Sequence, residues 1–375
     1  MNKILGLEGL RAYMAVWVFV THVLTMASFP LYKGSGLGVF LANGAFAVNV
    51  FIMLSGFVIT FLLKKREMTY RKFIAQRALR LFPAYIFCLL VSVCILGISQ
   101  QVLHDIPWRH EKMLERLQIF ADTESNYWTH LFLHLGLLHG LVPERLLHNT
   151  SFAFMGQAWS LSLEWQFYLV SPFIIGLFSK RYPQARLAFV AVSLMCATLL
   201  AMRVMPQGSF LLSKLPLFFA GIVCSLAYIA SSNGELEEQY YFLIIFVVAM
   251  LMSFDGYNGV SALIWMISLF SLSVADVSSA SGGRPGAFGL VMKWVALALT
   301  AKWVLWMGKI SYSFYCFHMI SIYCMAYFLV DIVGIHGRWE YAGILIVSSF
   351  VLTVICSALI YRFIEEPAIR LGRKL

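Results

Sequence analysis

Apolar runs about twenty residues long recur along this chain and constrain its fold more than any other feature. As helices, runs of that length cross the hydrocarbon layer of a bilayer. The runs are continuous rather than alternating, which argues against a membrane β-barrel. The chain is 61% hydrophobic and only 12% charged, whereas a soluble domain is about 25% charged. We therefore predict an all-α polytopic membrane protein.

Ten apolar segments are predicted to cross the membrane. They cover residues 7–29, 40–63, 81–103, 154–178, 187–205, 211–230, 240–254, 259–273, 310–330 and 341–361. A further stretch, 288–303, is interrupted by lysines and is predicted to lie at the interface. The segment 104–150 is predicted to be a long external loop that carries amphipathic helices or a lid. No linker and no appended soluble domain is evident, so residues 1–375 are predicted to form a single transmembrane domain.

The basic residues lie mainly between the apolar runs, and seven of the 28 lysines and arginines occupy the segment 64–80. Cytoplasmic loops carry such an excess, which predicts that this segment and both termini are cytoplasmic. The same distribution explains the net charge of +10 without a nucleic-acid partner. Membrane lipids are the predicted surroundings.

Two ionisable side chains, Arg11 and His22, lie in the first apolar run, about 16 Å apart along a helix. An ionisable group at the centre of a bilayer costs about 3 kcal/mol or more. Arg11 could be an interfacial anchor, with His22 bonded to a neighbouring helix. Alternatively, His22 accepts a proton from a hydroxyl or transiently carries an acyl group, because imidazole titrates near neutrality. The residues alone leave both alternatives open.

The segment 158–172 places Glu164 inside a predicted span, close in sequence to Trp159. On a helix, Ser160 and Glu164 share one face, and Ser162 and Gln166 share another. The carboxylate could be neutralised by an arginine and serve only helix packing. It could also orient a histidine or bind a substrate hydroxyl.

Arg77 and Arg80 end the basic segment and, three residues apart, lie on one helical face. Guanidinium groups bind phosphate in a bidentate manner, which favours a phosphate-bearing ligand. Contact with anionic lipid explains the same charges, and by charge count alone it explains them better.

Three histidines of the 104–150 segment, His130, His134 and His139, raise the question of a metal site. No third ligand of suitable spacing and no carboxylate cluster accompanies the first pair, and a zinc site needs three or four ligands. We therefore predict no metal, and a helix that faces lipid headgroups instead.

Six short blocks follow one another along the chain. They are LEGLRAYMAVWVFVTH (7–22), NGAFAVNVFIMLSGFVIT (43–60), RKFIAQRALRLFPAY (71–85), AWSLSLEWQFYL (158–169), GKISYSFYCFH (308–318) and YRFIEEP (361–367). In this order they resemble the acyltransferase-3 family of integral-membrane O-acyltransferases, whose bacterial members modify surface glycans. The first block is similar to the family's arginine-x10-histidine signature, while Asn49 in the second block stands where the family often has aspartate.

The resemblance implies transfer of an acyl group from cytoplasmic acyl-CoA to a hydroxyl of a cell-surface or lipid-linked carbohydrate. The expected acyl group is acetyl. The predicted location is the bacterial cytoplasmic (inner) membrane. Arg11, Arg77 and Arg80 are then expected to bind the CoA phosphates. His22 is expected to act as general base or acyl carrier, and Glu164 to orient His22 or the sugar.

Four further residues are predicted to line the substrate cavity: Asn49, Trp159, Ser162 and Tyr312. Of these, Tyr312 and Ser162 could stabilise the developing oxyanion. The rival hypothesis is a transporter that exports a glycan or a lipid-linked sugar, because buried charges suit that role too. The third hypothesis is a structural membrane subunit that catalyses no reaction. The sequence predicts no oligomeric state.

Overall fold

A computed structural model describes residues 2–27, 36–177, 208–254, 258–281, 286–335 and 337–375 of the chain. Every regular element within these ranges is helical, as predicted. The predicted span 187–205 lies outside the described residues.

The helices are α1 (Asn2–Met26), α2 (Leu37–Leu41), α3 (Ala45–Lys65), α4 (Tyr70–Cys94), α5 (Leu96–Asp105), α6 (Glu111–Ser125), α7 (Tyr127–Leu135), α8 (Trp159–Gly176), α9 (Leu211–Ser232), α10 (Glu238–Ser253), α11 (Gly259–Ser281), α12 (Ala287–Thr300), α13 (Lys302–Tyr327), α14 (Arg338–Ile360) and α15 (Glu366–Lys374). Short 3₁₀ turns cover His139–Leu141, Thr150–Phe152 and Gly156–Ala158, and π-helical turns cover Phe328–Ile332 and Tyr361–Glu365.

Within the described ranges, six helical segments are long and apolar enough to cross a membrane: Leu5–Met26, Ala45–Lys65, Tyr70–Cys94, Leu211–Ser232, Lys302–Ile332 and Arg338–Lys374. Three shorter apolar helices accompany them: Glu238–Ser253, Gly259–Val274 and Ala287–Thr300. These features indicate a multi-pass membrane protein. The number of ten spans and the interfacial position of 288–303 stay predictions.

Several predicted spans begin or end at residues other than the helix ends; for example, α13 begins at Lys302, eight residues before the predicted span 310–330. α4 begins at Tyr70 rather than at 81, and Thr69 caps it by accepting a hydrogen bond from the Lys72 backbone N–H at 3.4 Å. Pro83 lies inside this helix instead of near its start. α8 begins only at Trp159, after a 3₁₀ turn, five residues later than the predicted span 154–178. It is not among the six described segments that are long and apolar enough to cross a membrane.

α3 and α9 pack with their backbones in contact, and two glycines make this possible. A Cβ atom on Gly221 would lie 1.9 Å from the carbonyl oxygen of Met53, and one on Gly56 would lie 2.3 Å from that of Phe218. Small residues permit such close approach between membrane helices. α1 packs along α13 and also contacts α3, and α13 packs along α14.

The 104–150 segment is helical over α6 and α7, as predicted, and one histidine fastens it to α1. His110 Nδ1 accepts a hydrogen bond from the Lys112 backbone N–H at 3.2 Å. Its Nε2 must then carry the proton, which it donates to the Thr25 carbonyl at 2.9 Å. The first turn of α6 is thereby held against the last turns of α1.

The prediction that the loop histidines face lipid headgroups is wrong, because His130, His134 and His139 are fully buried. The His134 and His139 rings stack at 3.9 Å, and their Nε2 atoms bond the carbonyls of Thr150 and Ala158. Burial lowers the pKa of His139 to about 4, so the ring is neutral near pH 7. Across the described residues, no group of three or more His, Cys, Asp or Glu side chains is arranged to hold a metal.

Candidate functional site

Two adjoining cavities lie inside the bundle and separate the predicted site residues into two groups. The smaller, of about 140 Å³, is lined by Arg11, Arg77 and Arg80; we call it the arginine cavity. The larger, of about 720 Å³, is lined by His22; we call it the histidine cavity. Two other side chains, Val48 and Tyr315, line both cavities.

The arginine cavity brings together the three cations that were predicted to bind the donor. Arg77 and Arg80 both line it, as their spacing of three predicted. The Arg77 guanidinium carbon lies 5.9 Å from the ring centroids of both Phe73 and Tyr168. Such contacts with aromatic faces hold a guanidinium in place without neutralising it.

Acidic side chains partly neutralise the positive charge of these arginines. Arg11 Nη1 lies 4.0 Å from Glu8 Oε1, with the Glu8 side chain 39% exposed. Glu8, Glu164 and the buried Glu365 are all near enough to act electrostatically on Arg80. Glu365 accepts a hydrogen bond from Ser313 Oγ at 2.6 Å.

Glu164 lies in the arginine cavity, not beside His22. Its Oε1 accepts hydrogen bonds from Ser55 Oγ, at 3.0 Å, and from the Tyr168 hydroxyl. Ser160 lines the same cavity, as the shared helical face predicted. The geometry therefore gives no support to the expectation that Glu164 orients His22.

His22 faces the histidine cavity together with Trp159, and its hydrogen-bond partner is a guanidinium rather than a carboxylate. Arg116 of α6 places Nη2 at 3.0 Å from His22 Nδ1 and donates from Nη1 to the Tyr323 hydroxyl at 3.3 Å. Because arginine can only donate, Nδ1 is the acceptor and the proton of the neutral imidazole is on Nε2.

A second histidine, His318 of α13, lies next to His22, with ring centroids 5.3 Å apart. Its Nδ1 is 2.7 Å from the Tyr315 carbonyl, so Nδ1 carries the proton and Nε2 the lone pair. That Nε2 is buried and has no hydrogen-bond partner among the residues that the structure describes.

Three residues predicted for the substrate cavity have other positions. Ser162 lines neither cavity; it donates to the Leu137 carbonyl at 2.7 Å and accepts from the Gly140 N–H. Asn49 also lines neither and bonds Asn258 Oδ1 at 2.8 Å. Tyr312 lines the arginine cavity and donates to the Leu81 carbonyl at 2.7 Å, which commits its hydroxyl proton.

Tyr315 stands at the junction of the two cavities and was not singled out from the sequence. Its hydroxyl donates to the Gln157 carbonyl at 3.0 Å and lies 2.7 Å from Ser160 Oγ. It lies one helical turn beyond Tyr312 in the block GKISYSFYCFH, so the i, i+3 rule could have identified it. No sequence pattern identified Arg116, because it belongs to a polar helix outside every motif block.

The chain is similar to known proteins over nearly its whole length. Residues 4–362 match a family model described as an acyltransferase domain. The chain is 22% identical over 402 residues to the O-acetyltransferase OatA of Staphylococcus aureus, covering 98% of this chain and 58% of that protein. It is 26% identical over 391 residues to the putative peptidoglycan O-acetyltransferase YrhL of Bacillus subtilis, covering 96% and 54%.

A third relative, the acyltransferase MdmB of Streptomyces mycarofaciens, is 22% identical over 391 residues, covering 98% of this chain and 92% of that protein. The chain thus spans a little over half the length of the first two relatives. No solved structure matches the chain.

Proposed function

Because the chain belongs to the acyltransferase-3 family and is an acyl-transferring enzyme, we propose that it moves an acetyl group from cytoplasmic acyl-CoA to a hydroxyl of a cell-surface or lipid-linked carbohydrate. The proposed location is the bacterial cytoplasmic membrane, with both termini in the cytoplasm. The family membership disfavours the transporter and the purely structural subunit.

The pair of adjoining cavities is the main observation that supports this proposal. Arg11, Arg77 and Arg80 give the arginine cavity the charge that phosphate groups of a CoA donor require. The thioester end of the donor would pass between Val48 and Tyr315, the side chains common to both cavities. The histidine cavity, about 720 Å³, has the size of a small-molecule site and would receive the sugar.

The proposed reaction is a direct transfer. The acceptor oxygen attacks the thioester carbon, an O–C bond forms and the C–S bond breaks. The hydroxyl proton goes to the imidazole of His22 and then to the departing thiolate, which leaves as a thiol. General-base catalysis of this kind contributes about 10²–10⁴-fold. Trp159, in the same cavity, offers an aromatic surface to the sugar ring.

Glu164 takes a different role from the one expected of it. Because its carboxylate holds Ser55 and Tyr168 at the wall of the arginine cavity, we propose that it shapes the donor site. The Tyr168 ring in turn lies against Arg77.

The test uses the purified full-length protein in lipid nanodiscs with labelled acetyl-CoA and a panel of glycans. Label transfer and CoA release are measured for the wild type and for His22→Ala, which should lose at least about 100-fold of the transfer rate. His104→Ala is the matched control, because His104 is exposed and lines neither cavity. Undiminished transfer by His22→Ala would remove His22 from the mechanism.

A further inference from the structure

His22 has no free lone pair in this structure. Nδ1 is occupied by the Arg116 N–H, and the proton of the neutral ring is therefore on Nε2. An imidazole in that state can donate a hydrogen bond but cannot take a proton from a hydroxyl. For His22 to act as a base, the contact between Arg116 and Nδ1 has to be broken first.

Arg116 is a charged side chain in a cavity, yet its hydrogen-bond partners carry no charge. Its guanidinium contacts the imidazole of His22 and the hydroxyl of Tyr323, both neutral acceptors. Among the described residues, no ion pair includes Arg116. An anionic partner would add a charge–charge attraction to the hydrogen bond, and that attraction is stronger at a half-buried site than in bulk water.

The space beside Arg116 is the histidine cavity, and its wall is basic on this side. Lys112 lies one helical turn before Arg116 on α6, and both side chains line the cavity and act electrostatically on His22. Glu115 is the acidic side chain of the same stretch that lines the cavity; it is exposed, as Lys112 is, whereas Arg116 is half-buried. A carboxylate or phosphate on a ligand in this cavity would meet the half-buried Arg116 guanidinium, with Lys112 one helical turn away.

We propose that the acceptor is an anionic carbohydrate, and that its carboxylate or phosphate group draws Arg116 away from His22 Nδ1. This inference rests on the proposed function. It specifies the class of acceptor and explains how the acceptor would switch on His22 as the base. Arg116 exchanges a neutral partner for an anion, and the lone pair of Nδ1 becomes free at the moment the acceptor arrives. His22 then accepts the hydroxyl proton on Nδ1 and returns it to the thiolate of the departing CoA.

Such an arrangement protects the donor. Without an acceptor, His22 is capped and cannot activate a water molecule against the thioester. With an anionic acceptor bound, the base is released next to the hydroxyl that is to react. Arg116 is thus a positioning residue for His22 and the specificity residue for the acceptor.

The experiment compares acceptors that differ only in the charged group: a neutral oligosaccharide, its uronic-acid form and its phosphorylated form. For the wild type, kcat/KM should be at least about tenfold higher for the anionic acceptors, an advantage of about 1.4 kcal/mol. For Arg116→Gln that ratio should fall to about one, and CoA release without any acceptor should rise because His22 is uncapped. The two anionic forms separate carboxylate from phosphate recognition.

Arg109→Gln is the matched control, since it removes a charge from the same segment at an exposed residue outside both cavities. It should keep the wild-type ratio. Arg116→Lys, which keeps the charge, should retain part of the preference, and it serves if Arg116→Gln does not fold.

Equal kcat/KM for neutral and anionic acceptors in the wild type would overturn the inference, as would an undiminished ratio in both Arg116 variants. In those cases His22-dependent transfer would persist and the proposed function would stand. Absence of His22-dependent CoA release with every acceptor would overturn both.

Discussion

At the scale of single residues, the arginine cavity concentrates positive charge where a lipid-facing surface would not. Arg11 comes from α1, and Arg77 and Arg80 come from α4. Three guanidinium groups that line one small cavity repel one another unless an anion or a set of carboxylates accompanies them. Glu8, Glu164 and Glu365 supply part of that balance.

Arg80→Ala should weaken donor binding. Loss of one charge-assisted contact to phosphate costs about 1.5–3 kcal/mol, so the KM for acetyl-CoA should rise about tenfold or more while the acceptor KM stays unchanged. Steady-state kinetics in nanodiscs measures both constants. Arg71→Ala, in the same helix but exposed and outside the cavities, is the control. Equal donor KM values for the two variants would favour the lipid-contact hypothesis.

Spacing along one helix predicted which residues share a face, and the structure agrees. Arg77 and Arg80 line one cavity, and so do Ser160 and Glu164. What a side chain meets across the bundle could not be predicted in this way. The partner of His22, Arg116, is 94 positions away and on a different helix, and no periodicity encodes such a contact.

At the scale of helices, the presence of a helix was easier to predict from the sequence than its first and last residues. The apolar runs identified α1, α3, α9, α13 and α14, because burial in lipid needs a long apolar stretch. The start of α4 was missed because its first turns are polar and basic, although Thr69 caps them. Apolar length alone therefore underestimates a helix that extends beyond the hydrocarbon layer or lines a charged cavity.

Gly221→Leu should destabilise the bundle, because even a Cβ atom at Gly221 would lie 1.9 Å from the Met53 carbonyl oxygen. The α3–α9 contact must then open, and overpacking costs about 1–3 kcal/mol or more. The apparent Tm in detergent, followed by size-exclusion chromatography, should fall by several degrees. Gly343→Leu in α14 is the control, since nothing lies within 4 Å of a Cβ there. An equal Tm for both variants would contradict the close packing.

At the scale of the whole molecule, two cavities divide the predicted site residues, and the proposed function assigns the donor to one and the acceptor to the other. Charge that suits a donor is in one cavity, and the imidazole with the larger volume is in the other. The motif blocks contain both Glu164 and His22, but they did not predict that the two residues line different cavities. That separation results from how α1, α3, α8 and α13 pack around Val48 and Tyr315.

Val48→Trp should disconnect the two cavities, because Val48 is buried and lines both. Acetyl transfer should fall at least about tenfold, while equilibrium binding of labelled CoA to the arginine cavity should stay close to wild type. Val351→Trp, on the exposed side of α14, adds the same bulk without touching either cavity and should leave both quantities unchanged. Full transfer activity in Val48→Trp would place the donor's route elsewhere.

The contact that holds His22 is made by α6, an element that is not among the apolar helices capable of crossing a membrane. If α6 controls the proposed base, acceptor choice can change through substitutions in this one short polar helix, while the apolar helices and His22 stay the same. A chimera that exchanges residues 111–125 between two relatives should therefore exchange their glycan preferences as well.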